Sequence, residues 1–324
     1  MELVAGIDLG GTDTKFGLVN RQGDLLAYRR IPTGPSLDHT EFFNQLSDQI
    51  KKMLSSLNGS YTLVGISVGA PSGSEAYGTI DDATNLNWPR KLPIRDILNS
   101  IFHLPVTVSN DANAAAVGEM LYGVGKGHDN FICITLGTGL GSGIVSNGSL
   151  IVGTNGHAGE LGHVTAVQNG RMCNCGRRGC LETYASARGI VQTVLEADPE
   201  KLKKSELCEF GSEELTAEII TKAACQGDSI ALEAFQLTGK ILGKKLADTV
   251  AILNPELIIL TGGVSKAGNL ILDPTRKYMK EHLLDVYKGS VEVELSEMAS
   301  KKTTILGVAA FMWLKLDQQK KQSA

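Results

Sequence analysis

One pattern occurs twice in this chain, and it limits the fold more than any other feature. Residues 8–23 read DLGGTDTKFGLVNRQG and residues 135–148 read TLGTGLGSGIVSNG. Both run from an apolar strand through a Leu-Gly turn to a Gly–aliphatic–Val segment and a polar turn, and the spacing differs by one residue. Each is preceded by an apolar run, LVAGI or FICI, and followed by another. That is the signature of a β-meander: strand, glycine turn, strand, polar turn, strand. A chain of 324 residues has room for two domains. The pattern therefore predicts two related halves, each opening on a meander. Two unrelated glycine-rich hairpins would give the same likeness, and only strand order distinguishes the two cases.

The remaining segments complete an α/β chain. Residues 38–57 place Phe42, Phe43, Leu46, Ile50, Met53, Leu54 and Leu57 at helical spacing. TLVGISVGAP and VTVSND read as short strands, the second opening a helix at DANAAAVGEMLYG. Residues 186–253 are mostly helical, PELIILTGG is a buried strand with a glycine turn, VEVELS is a late strand, and TTILGVAAFMWLKLDQQ is a final helix. A net charge of −4 speaks against a nucleic-acid partner and against an anionic membrane surface. No apolar run approaches the ~20 residues of a spanning helix, and the N-terminus lacks the basic region of a signal peptide. A cytoplasmic location is expected, so the six cysteines read as thiols or metal ligands, not disulfides. Cys133, Cys208 and Cys225 stand apart and are expected to be packing residues.

GIDLGGT lacks the helix that follows a dinucleotide-binding turn, and it lacks the Gly-Lys-Ser/Thr of a P-loop. What remains is a hairpin tip, where Gly10 and Gly11 let backbone amides approach an anion. Thr12 adds a hydroxyl and Lys15 a positive charge. Asp8 would repel bare phosphate but suits an intervening Mg²⁺. Gly137, Thr138, Gly139 and Gly141, in GTGLGSG, offer a second tip, and Gly262 and Gly263, in TGGVS, a third turn placed to lie under a nucleoside. Each alone has the composition of an ordinary turn; together they favour a nucleotide site. Asn110 and Asp111 begin a helix, where Asn and Asp commonly serve as N-caps. The positive helix end would equally keep Asp111 ionised and ready to accept a proton from a substrate hydroxyl.

GHAGELGH and CNCGRRGCLE bring His163, Cys173, Cys175 and Cys180 within 18 residues. A Cys-x-Cys pair is poorly built for its own disulfide, but three thiolates and one imidazole form a closed zinc tetrahedron. Glu182 follows the last ligand by two residues and Glu160 precedes His163 by three. A structural Zn²⁺ would therefore rigidify two carboxylates and one imidazole, a set of acceptors suited to a polyol.

These residues resemble those of the ROK family (repressors, open reading frames, kinases), and within it the bacterial glucokinases. The likeness covers DLGGT, VGAP, NDANAAAVGE, GTGLGSG, GHAGELGH and CNCGRRGCLE, across nearly the whole chain. It implies an α/β actin-like ATPase fold, related to ribonuclease H, with duplicated domains around a cleft: residues 1–113 with 305–324 as a smaller domain, and 114–304 as a larger one carrying the zinc. It further implies Asp111 as catalytic base, and Gly69, Asn85, Asn110, Glu160, His163 and Glu182 as sugar contacts. The two hairpins would hold the ATP phosphates, with Gly262 and Gly263 against adenosine. One departure stands at 85–89, NLNWP, where many members read Asn-Leu-Pro-x-Trp. The repressors of the family carry a DNA-binding segment ahead of the first hairpin, which here starts near residue 3. The expectation is an ATP- and Mg²⁺-dependent hexose kinase acting on the 6-hydroxyl of glucose, and a homodimer. N-acetylmannosamine, N-acetylglucosamine or fructose are alternative acceptors, and a non-catalytic sugar sensor is the alternative class.

Overall fold

The structure, a computed structural model, describes residues 1–34, 38–81, 88–298 and 303–323. It divides into two compact units, Met1–Gly127 with Val152–Ala158 and Ser300–Ala324, and His128–Ile151 with Gly159–Ala299.

In the first unit, β1 (Glu2–Leu9), β2 (Asp13–Val19) and β3 (Leu25–Pro32) form the expected meander. Helix α1 (His39–Ser55), capped by the Asp38 carboxylate on the Thr40 N–H, leads to β4 (Thr62–Gly69). A small antiparallel sheet of β5 (Gly73–Ser74), β6 (Thr79–Asp81) and β7 (Lys91–Leu92) follows, which the sequence did not announce. Then come α2 (Ile94–Phe102), β8 (Val106–Ser109) and α3 (Asp111–Tyr122). The five-stranded sheet has the order β3-β2-β1-β4-β8, antiparallel through the meander and parallel from β1 onward.

The second unit opens with β9 (Phe131–Leu136), β10 (Leu140–Ser146) and β11 (Ser149–Ile151). Helices α4 (Ala187–Leu195), α5 (Pro199–Leu202), α6 (Ala217–Cys225) and α7 (Ser229–Leu253) precede β12 (Leu257–Thr261), α8 (Asn269–His282) and β13 (Glu292–Leu295). Its sheet has the order β11-β10-β9-β12-β13, again antiparallel and then parallel. The two sheets share one topology, so the likeness of the two sequence segments reflects a repeated unit. The turn after Leu9 holds four residues before the Leu9–Thr14 pair, and that after Leu136 holds three before Leu136–Leu140. This is the one-residue difference visible in the sequence.

Alternation along β1 sets the layers. Leu3, Ala5 and Ile7 join Phe42, Phe43, Leu46 and Ile50 of α1 in one core, while Val4 faces Ile305, Ala309, Met312 and Trp313. These four belong to the last helix, α9 (Thr303–Ser323), which lies on the opposite face of the sheet. Glycines on that face let it approach: a Cβ at Gly65 would stand 2.7 Å from Met312 Cγ. Helix α3 also packs on α9, with Gly307 against the Ala114 carbonyl. For that reason α3 stays with the first unit, and the compact division falls at 127/128, beyond the 113/114 boundary expected from the sequence. In the second unit, α4, α6, α7 and α8 pack on the sheet around Ile132, Ile134, Ile258 and Leu260. Cys133 is buried as expected, whereas Cys208 and Cys225 are exposed: both sit on the outer side of short amphipathic segments.

Candidate active site

In the first unit the parallel strands deliver their C-terminal ends to one edge. Asp8 pairs in register with Gly69, and Gly69 with Ser109, the residue before Asn110 and Asp111. Across the hairpin Asp8 faces Lys15, whose Nζ lies 3.6 Å from Asp8 Oδ2. Gly10 donates its N–H to the Asp13 carbonyl at 3.2 Å, and a Cβ there would stand 2.8 Å from that same oxygen. Gly11 and Thr12 are exposed at the tip. Among the described residues their N–H groups meet no protein acceptor, which leaves them available to an anion. Sequence reasoning missed the brace behind this tip. The Thr33 N–H donates to the Thr12 carbonyl at 2.9 Å, and the buried Thr33 and Thr14 hydroxyls lie 2.8 Å apart.

The two readings of Asn110-Asp111 separate cleanly. Asn110 is the N-cap, its side chain accepting the Asn113 N–H at 2.7 Å. Asp111 is the first helical residue, and its carboxylate has no hydrogen-bond partner among the described residues. It keeps solvent access, yet the dense protein around it, reinforced by the nearby Asp8 charge, pushes its carboxyl up to about 6 against the pull of Lys15. This direction is opposite to the one expected from the helix end; at pH 7 the group is still mostly carboxylate. Burial raises Asp8 as well. A Cβ on Gly69 would stand 3.9 Å from Asp111 Oδ1 and only 2.5 Å from Val308 Cγ2, so this position admits no side chain without displacing its surroundings. A second feature unread in the sequence is Glu75. Its Oε2 accepts the Val108 N–H at 2.8 Å and pairs with Arg95 at 2.9 Å, while Oε1 pairs with Lys315 at 2.6 Å. It ties down β8, the strand that leads into Asn110.

In the second unit the hairpin tip of Gly137, Thr138 and Gly139 is closed by a Gly137 N–H bond to the Gly139 carbonyl at 3.0 Å. The Ala187 N–H, opening α4, holds the Gly137 carbonyl at 2.8 Å, and the Gly141 N–H donates to Thr135 Oγ1 at 3.2 Å. Gly262 follows β12 at φ +98°, where a Cβ would stand 2.6 Å from the Leu136 carbonyl, and Gly263 beside it has open space. The second tip and the Gly262-Gly263 turn are therefore neighbours.

The His/Cys segment forms a knot. One donor atom each from His163, Cys173, Cys175 and Cys180 lies within 4.8 Å of all the others. Cys175 and Cys180 sulfurs are 3.6 Å apart, and Cys173 Sγ is 3.7 Å from His163 Nδ1. Tetrahedral zinc with sulfurs at about 2.3 Å keeps neighbouring donors roughly 3.8 Å apart, so the donor set and its spacing fit that ion. The Arg177 N–H lowers the Cys175 thiol to about 7, while burial raises Cys173 and Cys180. His163 Nδ1 faces the sulfurs; Nε2 lies 3.9 Å from Glu160 Oε2. Glu182 spans from the knot to the second hairpin. Its Oε1 lies 3.0 Å from Cys173 Sγ, and its Oε2 lies 2.7 Å from where a Gly139 Cβ would sit. The structure brings Glu160, His163, Glu182 and the thiols together in one unit, and Asp8, Gly69, Asn110 and Asp111 in the other. Asn85 lies outside the described residues.

Twice-repeated sheets of this order, each with a glycine hairpin, are those of the actin-like ATPase fold. The match to the ROK family model spans residues 4–315, and the chain belongs to that family. It is 37% identical over 318 residues to a glucokinase of Halalkalibacterium halodurans, covering 97% of this chain and 95% of that one. It is 34% identical to the ROK family glucokinase of Streptomyces griseus solved with glucose and AMPPNP, with a TM-score of 0.76 over 95% of this chain and 98% of that chain. It is also 29% identical to a xylose repressor of Caldicellulosiruptor bescii, over 95% of this chain and 77% of the repressor. Among the described residues no helix is long and apolar enough to cross a membrane.

Proposed function

We propose that this chain is an ATP-dependent glucokinase that transfers the γ-phosphoryl group to the 6-hydroxyl of glucose. The observation that carries this reading is the place of Asp111: Asn110 supplies the helix cap, and the Asp111 carboxylate, without a hydrogen-bond partner among the described residues, lies at the strand ends that also bear Asp8 and the first glycine hairpin, where burial and the Asp8 charge push it up to about 6. A base with such a value is mostly ionised at neutral pH and still able to hold a proton in the transition state. Asp111 accepts the proton of the attacking hydroxyl, and the exposed amides of the two hairpins cradle the phosphates. Asp8 would hold a Mg²⁺ ion, directly or through water, that offsets phosphate charge, while the Thr12 hydroxyl and the Lys15 ammonium meet the phosphate itself. Gly263 leaves room for adenosine, and Gly262 beside it lets the turn pack on the Leu136 backbone. Glu160 and Glu182 accept hydrogen bonds from the sugar hydroxyls and His163 donates its Nε2–H to one, with Asn110, Gly69 and Asn85 completing the contacts. His163 Nδ1, Cys173, Cys175 and Cys180 would hold a structural Zn²⁺, which would keep these sugar contacts in place.

A cytoplasmic location fits the reduced thiols that such a site requires. A homodimer accords with the apolar side chains of Ile252, Leu284 and Val286, exposed near the C-terminal ends of α7 and α8. A coupled ADP-release assay tests the function with glucose, fructose, N-acetylglucosamine and N-acetylmannosamine. The proposal expects kcat/KM for glucose to exceed each of the others by at least about tenfold, the scale of one net hydrogen bond. A preference for an amino sugar would reassign the acceptor, and no phosphorylation of any sugar would reject the kinase.

A further inference from the structure

The three thiols of the knot are not equivalent. Cys173 and Cys180 are 3% and 1% exposed, whereas Cys175 is exposed. Cys175 Sγ lies 3.6 Å from Cys180 Sγ. The loop joining them carries Gly176 and Gly179 at φ +84° and +76°, conformations that let it fold back tightly. A single residue separates Cys173 from Cys175, and a bridge across that spacing is strained. An oxidant arriving from solvent thus meets Cys175 first and finds Cys180 behind it.

We propose that Cys175 and Cys180 are a peroxide-sensitive pair whose oxidation to a disulfide opens the metal site. The Cys175 thiolate attacks one oxygen of hydrogen peroxide and the O–O bond breaks. Sulfenic acid forms, and the departing hydroxide takes a proton from solvent to leave as water. The Cys180 thiolate then attacks the sulfenic sulfur; the S–S bond forms, the S–O bond breaks, and a second water leaves after protonation. Each sulfur gives up one electron and peroxide accepts both. Zinc loses two of its four donors and dissociates. A dithiol reductant with added zinc reverses the change. Glu182 lies two residues beyond Cys180 and Glu160 three before His163, so loss of the ion removes what fixes both. This consequence rests on the sugar-binding reading above; the disulfide and the metal release do not.

The test treats the full-length protein with hydrogen peroxide. Zinc release is followed with a chelating dye, and disulfides are located by peptide mass mapping. The expected result is about one zinc released per Cys175–Cys180 bridge, with a loss of about 2 Da in the linked peptides. A Cys208→Ser/Cys225→Ser variant, lacking the two exposed thiols outside the knot, should respond as the wild type does. Glucose KM should rise at least tenfold on oxidation and return with dithiol and zinc. Zinc retained at full peroxide consumption, or oxidation stopping at a Cys175 sulfinic acid, overturns the proposal. A bridge that forms and releases zinc while glucose KM stays unchanged leaves the pair standing and sinks the assignment of the sugar contacts.

Discussion

Replacing Asp111 by Asn removes one charge and almost no volume, and its consequences for rate, pH dependence and stability differ in sign. General-base catalysis contributes roughly 10²- to 10⁴-fold, so kcat should fall by that factor while KM for glucose changes only a few-fold. The wild-type profile of kcat/KM should lose activity as pH drops through about 6, where Asp111 takes up its proton, and the variant should lack this limb. Stability moves the other way. The folded value lies above the ordinary 3.8, so the native state binds a proton that the unfolded chain has released. Native stability therefore declines as pH rises from about 4 through 6, and Asn avoids that loss. The full displacement corresponds to about 3 kcal/mol; solvent access at this exposed carboxyl reduces it to about 1 kcal/mol. The variant should melt about 2 °C above wild type at pH 7 and level with it near pH 3.5. Carbon-13 NMR of the Asp carboxyls gives the value directly, and Asp8→Asn should lower it while Lys15→Met should raise it. A variant with normal turnover, or an acid limb that survives the substitution, would refute the reasoning.

Two other substitutions probe how this carboxylate is held. Gly69→Ala would place a Cβ 2.5 Å from Val308 Cγ2, and such overpacking costs about 1–3 kcal/mol. A thermal melt should drop by several degrees and kcat should fall with it, since the displaced helix and Asp111 share this contact. Glu75→Gln would keep an acceptor for the Val108 N–H but lose the ion pairs to Arg95 and Lys315. At partly exposed positions that is worth about 1 kcal/mol; kcat should fall several-fold with glucose KM little changed. Unaltered melting and kinetics would show that Glu75 does not position Asp111.

What could be read from the sequence was what is local along the chain. The meanders were legible because strand, glycine turn and strand follow one another, and the His/Cys set because its four donors fall within 18 residues. The parallel joins were not: β12 pairs with β9 across more than a hundred residues, and no local signal marks Leu257 as the partner of Phe131. The same holds for Thr33 behind the Thr12 turn, for Glu75 under Val108, and for Glu182 against Gly139. The resemblance implied a boundary at 113/114, within α3, whereas the small residues of α3 pack on α9 from the far end of the chain, a contact that no local signal marks. Asp111 shows the same limit in electrostatics. Its place at a helix start was visible, whereas the crowding and the Asp8 charge that raise its carboxyl arise only on folding.

The proposed mechanism depends on a metal ion on the His/Cys knot, which would hold the sugar contacts Glu160, His163 and Glu182 in place. Metal content and glucose titration calorimetry on one preparation, before and after removal of zinc by a chelator, test it directly. The predicted result is one zinc per chain, with glucose affinity falling at least tenfold on removal and returning when zinc is restored. A chain that carries no metal, or one that binds glucose equally well without it, would contradict the account.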